Sequence, residues 1–333
     1  MSSVADKRIL VAGASGYAGA LAAELVGRHP SLTLAAATSR SDVGKALSAL
    51  YPQYRCDAVL EELNLDSHGP LDGAIVAYPH GASAPVVAAL RAEGVAVVDL
   101  SADFRLRDLS VYEQWYVPHS APELITEAVY GLPERNREQI IGAGLVANPG
   151  CYPTASVLAL APLAPFISDV VIDAKSGVSG AGREPTAVTH FVSADENVRP
   201  YGVGNHRHMP EIDQELALAG AQELRVTFTP HLVPLDQGEL VSCYVTLNEA
   251  VDIDELYAAA YDEEEFVEMV GHIPGVREVR GTNLCRINAR IDERTGKAFV
   301  FAVIDNLWKG AASQAIQNLN LMLGFPQSQG IEL

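Results

Sequence analysis

The stretch RILVAGASGYAG, residues 8–19, decides the fold class of this chain. After its first residue it is apolar and partly β-branched, which is typical of a strand buried on both faces of a parallel sheet. Three glycines follow, and the residues beyond them have helical spacing. Small residues between a strand and a helix let the backbone approach a pyrophosphate, which the helix N-terminus binds through its unpaired N–H groups. We therefore predict a dinucleotide-binding turn that consists of Gly13, Ser15, Gly16, Tyr17 and Gly19.

Strand-like and helix-like runs alternate from this turn to residue 150. Alternation of this kind predicts a parallel, doubly wound sheet with helices on both faces. Beyond residue 165 the sequence pattern changes to long strand-like runs in which polar and apolar residues alternate, with few helical segments between them. This pattern predicts a mixed or antiparallel sheet. The predicted strands of the first region are 8–13, 32–39, 73–79, 95–101 and 140–150.

The chain ends in another helical pattern, at 310–325, whose apolar positions would face a core. We expect this helix to pack on the first domain. The predicted fold is thus an α/β Rossmann dinucleotide-binding domain, formed by 1–150 with the C-terminal segment 310–333, plus an α+β domain with a mixed or antiparallel sheet over 151–309. The second domain is expected to carry the substrate site and the contacts between subunits.

Composition narrows the function classes. The chain has 333 residues, 48% of them hydrophobic, and a formal net charge of −19. This charge argues against partners such as nucleic acid or an anionic membrane surface. The four cysteines lack the spacing of a zinc site or a disulfide framework, and no apolar run suits a signal peptide or a membrane span, so we expect a cytoplasmic protein.

The end of the second predicted strand bears on the choice of cofactor. An NAD site usually has an acidic residue there, which binds the ribose 2′-hydroxyl. This chain has Thr38, Ser39 and Arg40 instead, and hydroxyls with a guanidinium suit a 2′-phosphate. We therefore predict NADP(H), while Asp42 lies close enough in sequence to keep an NAD site as the alternative.

Cys151 lies in NPGCYPT, between a predicted strand and a predicted helix. Pro153 suits the first turn of a helix because the N–H that proline lacks would be unpaired there. Cys151 is then at the helix N-terminus, where the helix dipole stabilises a thiolate. A buried thiol that packs like alanine is the alternative. The turn, the helix start and the carboxyl end of a parallel strand together favour a nucleophile.

A nucleophilic thiol needs an acid/base partner, and an anionic substrate needs cations in so acidic a chain. His206 and His208 are the best candidates for proton transfer, and the sequence leaves open which of them faces the thiol. No further ligand accompanies this pair, so we predict no metal site. The candidates for binding a substrate phosphate are Arg105, Arg183 and Arg207, of which Arg105 is preferred because it follows a strand of the parallel sheet.

Seven motifs occur in order from end to end of the chain, which thereby closely resembles, over nearly its whole length, the N-acetyl-γ-glutamyl-phosphate reductases of arginine biosynthesis. These enzymes are related to aspartate-semialdehyde dehydrogenase and, more distantly, to glyceraldehyde-3-phosphate dehydrogenase. The motifs are GASGYAG (13–19), DLSADFRL (99–106), YGLPE (130–134), NPGCYPT (148–154), GVSGAGR (177–183), HRHMPEI (206–212) and DNLWKGAASQAIQNLNLM (305–322).

The resemblance implies the NADPH-dependent reduction of N-acetylglutamyl phosphate to the semialdehyde through a thioester on Cys151. It implies acid/base catalysis by a histidine of HRHMPEI, with His206 favoured over His208, and contact of Asn306 with the nicotinamide end of the cofactor. Homodimers or homotetramers are typical of the family. Two alternatives stay open: the same reaction on a carrier-linked aminoadipyl or glutamyl phosphate, and an NADP-binding regulator without activity.

Overall fold

Each of the two units of this chain is built around one sheet. The computed structural model describes residues 6–221 and 223–331. The first unit consists of two segments, one that ends at Pro149 and one that begins at Ala311. The second unit comprises Gly150–Gly310.

The first unit contains six parallel strands in the order β2-β1-β3-β4-β6-β5. The inner strands are fully buried because helices cover both faces, which is why their residues are continuously apolar. The predicted parallel, Rossmann-type sheet is confirmed. The strands are β1 (Lys7–Ala12), β2 (Leu32–Thr38), β3 (Gly73–Val76), β4 (Ala96–Asp99), β5 (Val129–Tyr130) and β6 (Leu145–Ala147), and the helices are α1 (Tyr17–Arg28), α2 (Leu47–Leu50), α3 (Ala84–Ala92), α4 (Leu109–Trp115) and α5 (Pro133–Ile140).

The prediction of one strand over 140–150 is wrong in its first half. Helix α5 ends at Ile140, a turn follows, and β6 begins only at Leu145. Helix α5 buries only its first and last residues, Pro133 and Ile140. It therefore lacks the apolar periodicity by which a helix is recognised in sequence.

The second unit holds a mixed sheet of seven strands in the order β11-β12-β13-β10-β7-β9-β8. Its central strands β12, β13, β10 and β7 pair antiparallel, while the pairs β7/β9 and β11/β12 are parallel. The predicted α+β domain with a mixed sheet is confirmed. The elements are α6 (Cys151–Leu160), β7 (Ile167–Ser176), α7 (Phe191–Ala194), β8 (Arg199–Pro200), α8 (Met209–Leu218), β9 (Thr227–Leu232), β10 (Glu239–Leu247), α9 (Ile253–Tyr261), β11 (Val267–Met269), β12 (Cys285–Asp292) and β13 (Lys297–Ile304).

The last helix, α10 (Ser313–Met322), contacts α1, β4 and α5 of the first unit. It is buried all round, so its amides need partners. Gln314 and Asn318 both donate to the carbonyl of Gly131, at 2.9 and 2.8 Å. No helix in the described parts of the chain combines the length and apolarity that a membrane crossing requires.

Candidate functional site

The turn between β1 and α1 is shaped by two glycines that no other residue could replace without a shift. Gly13 has a φ of +87°, and a Cβ on it would lie 2.5 Å from the carbonyl oxygen of Ala77. A Cβ on Gly19 would lie 2.2 Å from the carbonyl oxygen of Gly13. Gly16 is the N-cap residue of α1 and offers no side chain to the first N–H groups of the helix. The turn therefore presents bare backbone of the kind that binds a pyrophosphate.

Hydrogen bonds tie this turn to the end of β2. The Thr38 carbonyl accepts from the N–H groups of Gly13 and Ala14 at 3.1 and 2.8 Å. The Ser39 hydroxyl donates to the Ser15 hydroxyl at 2.8 Å. The structure thus brings together the predicted turn residues and the predicted ribose-side residues in the first unit.

The two residues that bear on cofactor choice have different surroundings. Arg40 is exposed, and its guanidinium carbon lies 5.3 Å from the centre of the Tyr78 ring. Asp42 is buried, and its carboxylate accepts from Lys45 Nζ at 2.8 Å and from Ser41 Oγ at 2.9 Å. Its charge is therefore neutralised locally, whereas Arg40 presents its charge at the surface beside the turn.

The motif DLSADFRL forms a buried polar network after β4. The Asp103 carboxylate accepts from the N–H groups of Gly81, Ser83 and Ala84, and Asp99 accepts from the Ser101 hydroxyl at 2.6 Å. Burial is the main cause that raises the pKa of Asp99 to about 6. Most of this motif therefore fixes the loop after β4 and the start of α3.

Arg105 belongs to the same buried network. It is 5% exposed, and its guanidinium donates to the carbonyls of Asn148 and Leu100, each at 2.7 Å. These bonds hold the segment that leads to Cys151, and phosphate binding by Arg105 stays a prediction.

Cys151 is the first residue of α6, and Gly150 is the N-cap. The N–H of Gly150 donates to Glu211 Oε1 at 2.9 Å, so α8 fixes the turn that carries the thiol. Gly310 approaches from the other side: a Cβ there would lie 2.8 Å from the Cβ of Cys151. The predicted helix start at Cys151 is confirmed, with a side chain that is half-buried.

Both candidate histidines lie in an aromatic cluster beside Cys151. The ring of Tyr152 is 5.7 Å from that of His206 and 5.9 Å from that of His208, and the two imidazoles are 4.9 Å apart. Phe228 and Tyr201 also pack on His206. The structure brings the pair and the thiol-bearing turn together within the second unit, and the choice between the two histidines stays a prediction.

His206 is neutral at physiological pH in this environment. Burial, and secondarily the charge of Arg207, lowers its pKa to about 4. Its Nδ1 accepts the backbone N–H of His208 at 3.2 Å, which assigns the ring proton to Nε2.

Glu239 is a site residue that the sequence analysis missed. It is the first residue of β10, it is 0% exposed, and its pKa is raised to about 8. Burial is the main cause, the Asp305 charge adds to it, and the Cys151 thiol acts in the opposite direction. The signal was present in the sequence, because Glu239 is in phase with the inward-facing Val241, Cys243 and Val245 of the same strand.

Asn306 is engaged within the second unit. Its Oδ1 accepts the N–H of Gly238 at 2.8 Å, and its Nδ2 donates to the Ser179 hydroxyl at 3.0 Å. It thereby fixes the residue that precedes Glu239, and contact with a nicotinamide stays a prediction.

Arg183 is half-buried and Arg207 is exposed, and both belong to the second unit like the thiol and the histidines.

Comparison with known families matches two consecutive parts of the chain. Residues 8–143 match the family described as "Semialdehyde dehydrogenase, NAD binding domain". Residues 151–306 match "Semialdehyde dehydrogenase, dimerisation domain". The second match covers the thiol, both histidines and Glu239.

Curated relatives are similar over nearly the whole chain. The N-acetyl-gamma-glutamyl-phosphate reductase of Moorella thermoacetica is 46% identical, with 97% of each chain covered, and that of Desulforudis audaxviator is 48% identical with the same coverage. Among solved structures, aspartate semialdehyde dehydrogenase II from Vibrio cholerae has a TM-score of 0.73 at 20% identity, over 96% of this chain and 98% of that one. The enzyme from Candida albicans, solved with NADP, has a TM-score of 0.71 at 16% identity, over 96% and 99%.

Proposed function

The chain belongs to the N-acetyl-gamma-glutamyl-phosphate reductase family of semialdehyde dehydrogenases, and on this premise we propose that it reduces N-acetyl-L-glutamyl 5-phosphate to N-acetyl-L-glutamate 5-semialdehyde with NADPH and releases phosphate. This is a step of arginine biosynthesis. The observation that carries the proposal is the identity of nearly half of all residues over nearly the full length of relatives that bear this name.

The first unit fits the nicotinamide dinucleotide that the family uses. The turn at Gly13–Gly19 leaves bare backbone for a pyrophosphate, and a Cβ on Gly13 or Gly19 would clash with the carbonyl oxygens that shape this turn. Ser39 and the exposed Arg40 suit a 2′-phosphate, and the Asp42 carboxylate is already occupied by Lys45. The bound cofactor supplies the hydride, and these residues support NADP(H) as that cofactor.

Cys151 is the proposed nucleophile. Its position at the N-terminus of α6 favours the thiolate, and the turn is held by Glu211. The sulfur attacks the acyl carbon, the C–O bond to phosphate breaks, and a thioester forms. After reduction the C–S bond breaks, and the sulfur leaves as thiolate while the aldehyde is released. The thioester holds the acyl carbon in place for reduction, so two encounters become one positioned step.

The acid/base role is assigned to the pair His206 and His208, with His206 preferred. The packing of both rings on Tyr152 supports this role because it places them beside the thiol-bearing turn. Arg105, Arg183 and Arg207 are the proposed cations for the phosphate.

The family and the composition support a proposal for the assembly and for the location of this protein. The second unit matches a dimerisation domain, which supports an oligomer, and we propose a homodimer or homotetramer. The absence of disulfides among the described cysteines and the biosynthetic role of the relatives support a cytoplasmic location.

The direct test is the reverse reaction. The purified protein should reduce NADP when N-acetylglutamate semialdehyde and inorganic phosphate are both present, and it should do so only then. Cys151→Ser should abolish this activity without changing NADPH affinity, because the hydroxyl is a far weaker nucleophile. Cys56→Ala is the matched control, since it removes a thiol of the first unit, and it should retain full activity.

Three outcomes would contradict the proposal in different ways. Activity restricted to carrier-linked aminoadipyl or glutamyl substrates would assign the chain to the lysine-type reaction. NADPH binding without turnover of any of these substrates would indicate a regulator. Full activity of Cys151→Ser would reject the thioester mechanism.

A further inference from the structure

Glu239 occupies a position at which a strand normally carries an apolar residue. In β10 it lies on the same face as Val241, Cys243 and Val245, all of which are 0% exposed. This strand contacts α6, which begins at Cys151. In the sheet Glu239 is paired with Ser176 of β7 and Ile304 of β13, so it lies in the interior of the sheet and not at an edge.

The carboxyl group has no structural role that its hydrogen bonds would explain. Among the described residues, neither oxygen accepts a hydrogen bond of ordinary geometry. Two polar side chains act on its pKa, the thiol of Cys151 and the charged Asp305. Burial of an unpaired carboxyl costs stability, and an aliphatic residue at this position would avoid that cost. A buried carboxyl beside a nucleophilic thiol is therefore better explained by chemistry than by packing.

We propose that Glu239 and Cys151 form a buried acid–thiol pair in which the Glu239 carboxylate takes the proton of the thiol when the nucleophile is formed and returns it when the sulfur is released. This inference rests on the proposed function, and it adds to that function a proton acceptor for the first step.

The transfer balances within the pair. The S–H bond of Cys151 breaks, and the proton forms an O–H bond with the carboxylate. The electron pair left on sulfur forms the C–S bond, and phosphate departs with the electrons of the broken C–O bond. When the C–S bond later breaks, the sulfur regains its electron pair and takes the proton back from Glu239. The pair therefore consumes no net proton in a turnover.

Four titratable groups face this carboxyl from the elements packed around it. Cys151 and Tyr152 lie in α6, Tyr201 follows β8, and Asp305 follows β13. The pKa values of both tyrosines are raised by burial first, so they stay protonated, and the Asp305 charge favours a proton on Glu239. The carboxyl itself titrates near pH 8, and its ionised form, the acceptor, grows as the pH rises through that value.

The test measures the alkylation of Cys151 by iodoacetamide against pH, with the Cys151 peptide quantified by mass spectrometry. Wild type should show two steps, the first near pH 8, because the proton lost there is shared between carboxyl and thiol. Glu239→Gln keeps the shape but cannot accept a proton. It should show a single step, because the thiol then titrates alone, and a kcat/KM lower by at least about tenfold.

Asp213→Asn is the matched control. This carboxyl also lies in the second unit with its pKa raised by burial, but it accepts the N–H of Val226 and lies in α8. The control should keep both steps. Glu239→Asp keeps a titratable carboxyl and should restore part of the first step.

The readout does not require turnover, so it separates this proposal from that of the overall reaction. A single step in the wild-type protein would overturn the pair, and this measurement stands even where Glu239→Gln fails to fold. Equal two-step profiles of wild type and a folded Glu239→Gln would overturn it as well.

Discussion

At the scale of single residues, the charged side chains considered in the first unit divide into those that hold the backbone and those that face outward. Asp99, Asp103 and Arg105 are buried, and their hydrogen bonds fix loops. Arg40, in contrast, has an exposed guanidinium at the end of β2. Only a cation of the second kind can change cofactor preference without disturbing the fold, which makes Arg40 the informative residue.

We expect Arg40→Asp to weaken NADPH binding far more than NADH binding. A bidentate, charge-assisted contact between guanidinium and phosphate contributes about 1.5–3 kcal/mol, so the ratio of the two dissociation constants should shift by at least about tenfold. Fluorescence titration with each cofactor measures this ratio. Arg55→Asp makes the same charge change at another exposed arginine of the first unit and should leave the ratio unaltered. An unaltered ratio in Arg40→Asp would assign the 2′-phosphate to other groups.

At the scale of elements, α1 offers a comparison between two glycines in one helix. Gly19 lies in the first turn, in direct contact with the backbone of Gly13. Gly27 lies in the last turn, and the nearest atom to a Cβ placed on it would be Cys56 Sγ at 4.0 Å. The first glycine therefore serves the close approach of helix and turn, whereas the second is replaceable.

Gly19→Ala should displace α1 from the turn and weaken NADPH binding strongly, because a Cβ cannot occupy a site 2.2 Å from a carbonyl oxygen. Gly27→Ala should retain affinity and raise the free energy of unfolding by up to about 1 kcal/mol, since alanine is the better helix former. Cofactor titration and denaturant unfolding of both variants test this contrast. Tight NADPH binding by Gly19→Ala would show that the turn adapts.

The helices and strands that the sequence predicted were those with a clear hydrophobic periodicity or with a turn marked by glycine or proline. Continuous apolar strands such as β1 and the alternating β10 were found because their burial requires those patterns. Helix α5 and the two-residue strands β5 and β8 were missed because they bury too few residues to show a period.

The residues of the candidate site likewise divide into those that local sequence features predicted and those that were missed. Cys151 was recognised from the turn that surrounds it, because glycine and proline have local meaning. Glu239 and Glu211 were missed because their roles depend on partners far along the chain, the Cys151 thiol and the Gly150 N–H. The hydrogen bonds of Arg105 and Asn306 could not be predicted from the sequence for the same reason. Burial and partners distant in sequence decide which groups a polar side chain contacts.

At the scale of the whole molecule, buried titratable groups couple stability to pH. Glu239 has its pKa raised from 4.5 to about 8 and Asp99 from 3.8 to about 6, so each native group keeps a proton that the unfolded chain releases. Both therefore lower stability as the pH rises through these windows. His206, with its pKa lowered from 6.5 to about 4, has the opposite effect, which is complete by about pH 6.5. Of these three groups, Glu239 alone acts between about pH 6.5 and about pH 8.

We therefore expect the free energy of unfolding of the second unit to fall between about pH 6.5 and about pH 8, by at most about 1.4 kcal/mol per pH unit, and Glu239→Gln to remove this slope. The chain has two tryptophans, Trp115 in the first unit and Trp308 in the second. Urea unfolding followed by the fluorescence of Trp308 in a Trp115→Phe background reports on the second unit alone. The Asp213→Asn variant in that background should keep the slope, because its carboxyl lacks the thiol neighbour and is only partly buried. A slope that persists in Glu239→Gln would show that another buried group holds the proton. Glu239 would then lack the raised pKa that lets its carboxyl both accept and return a proton beside Cys151.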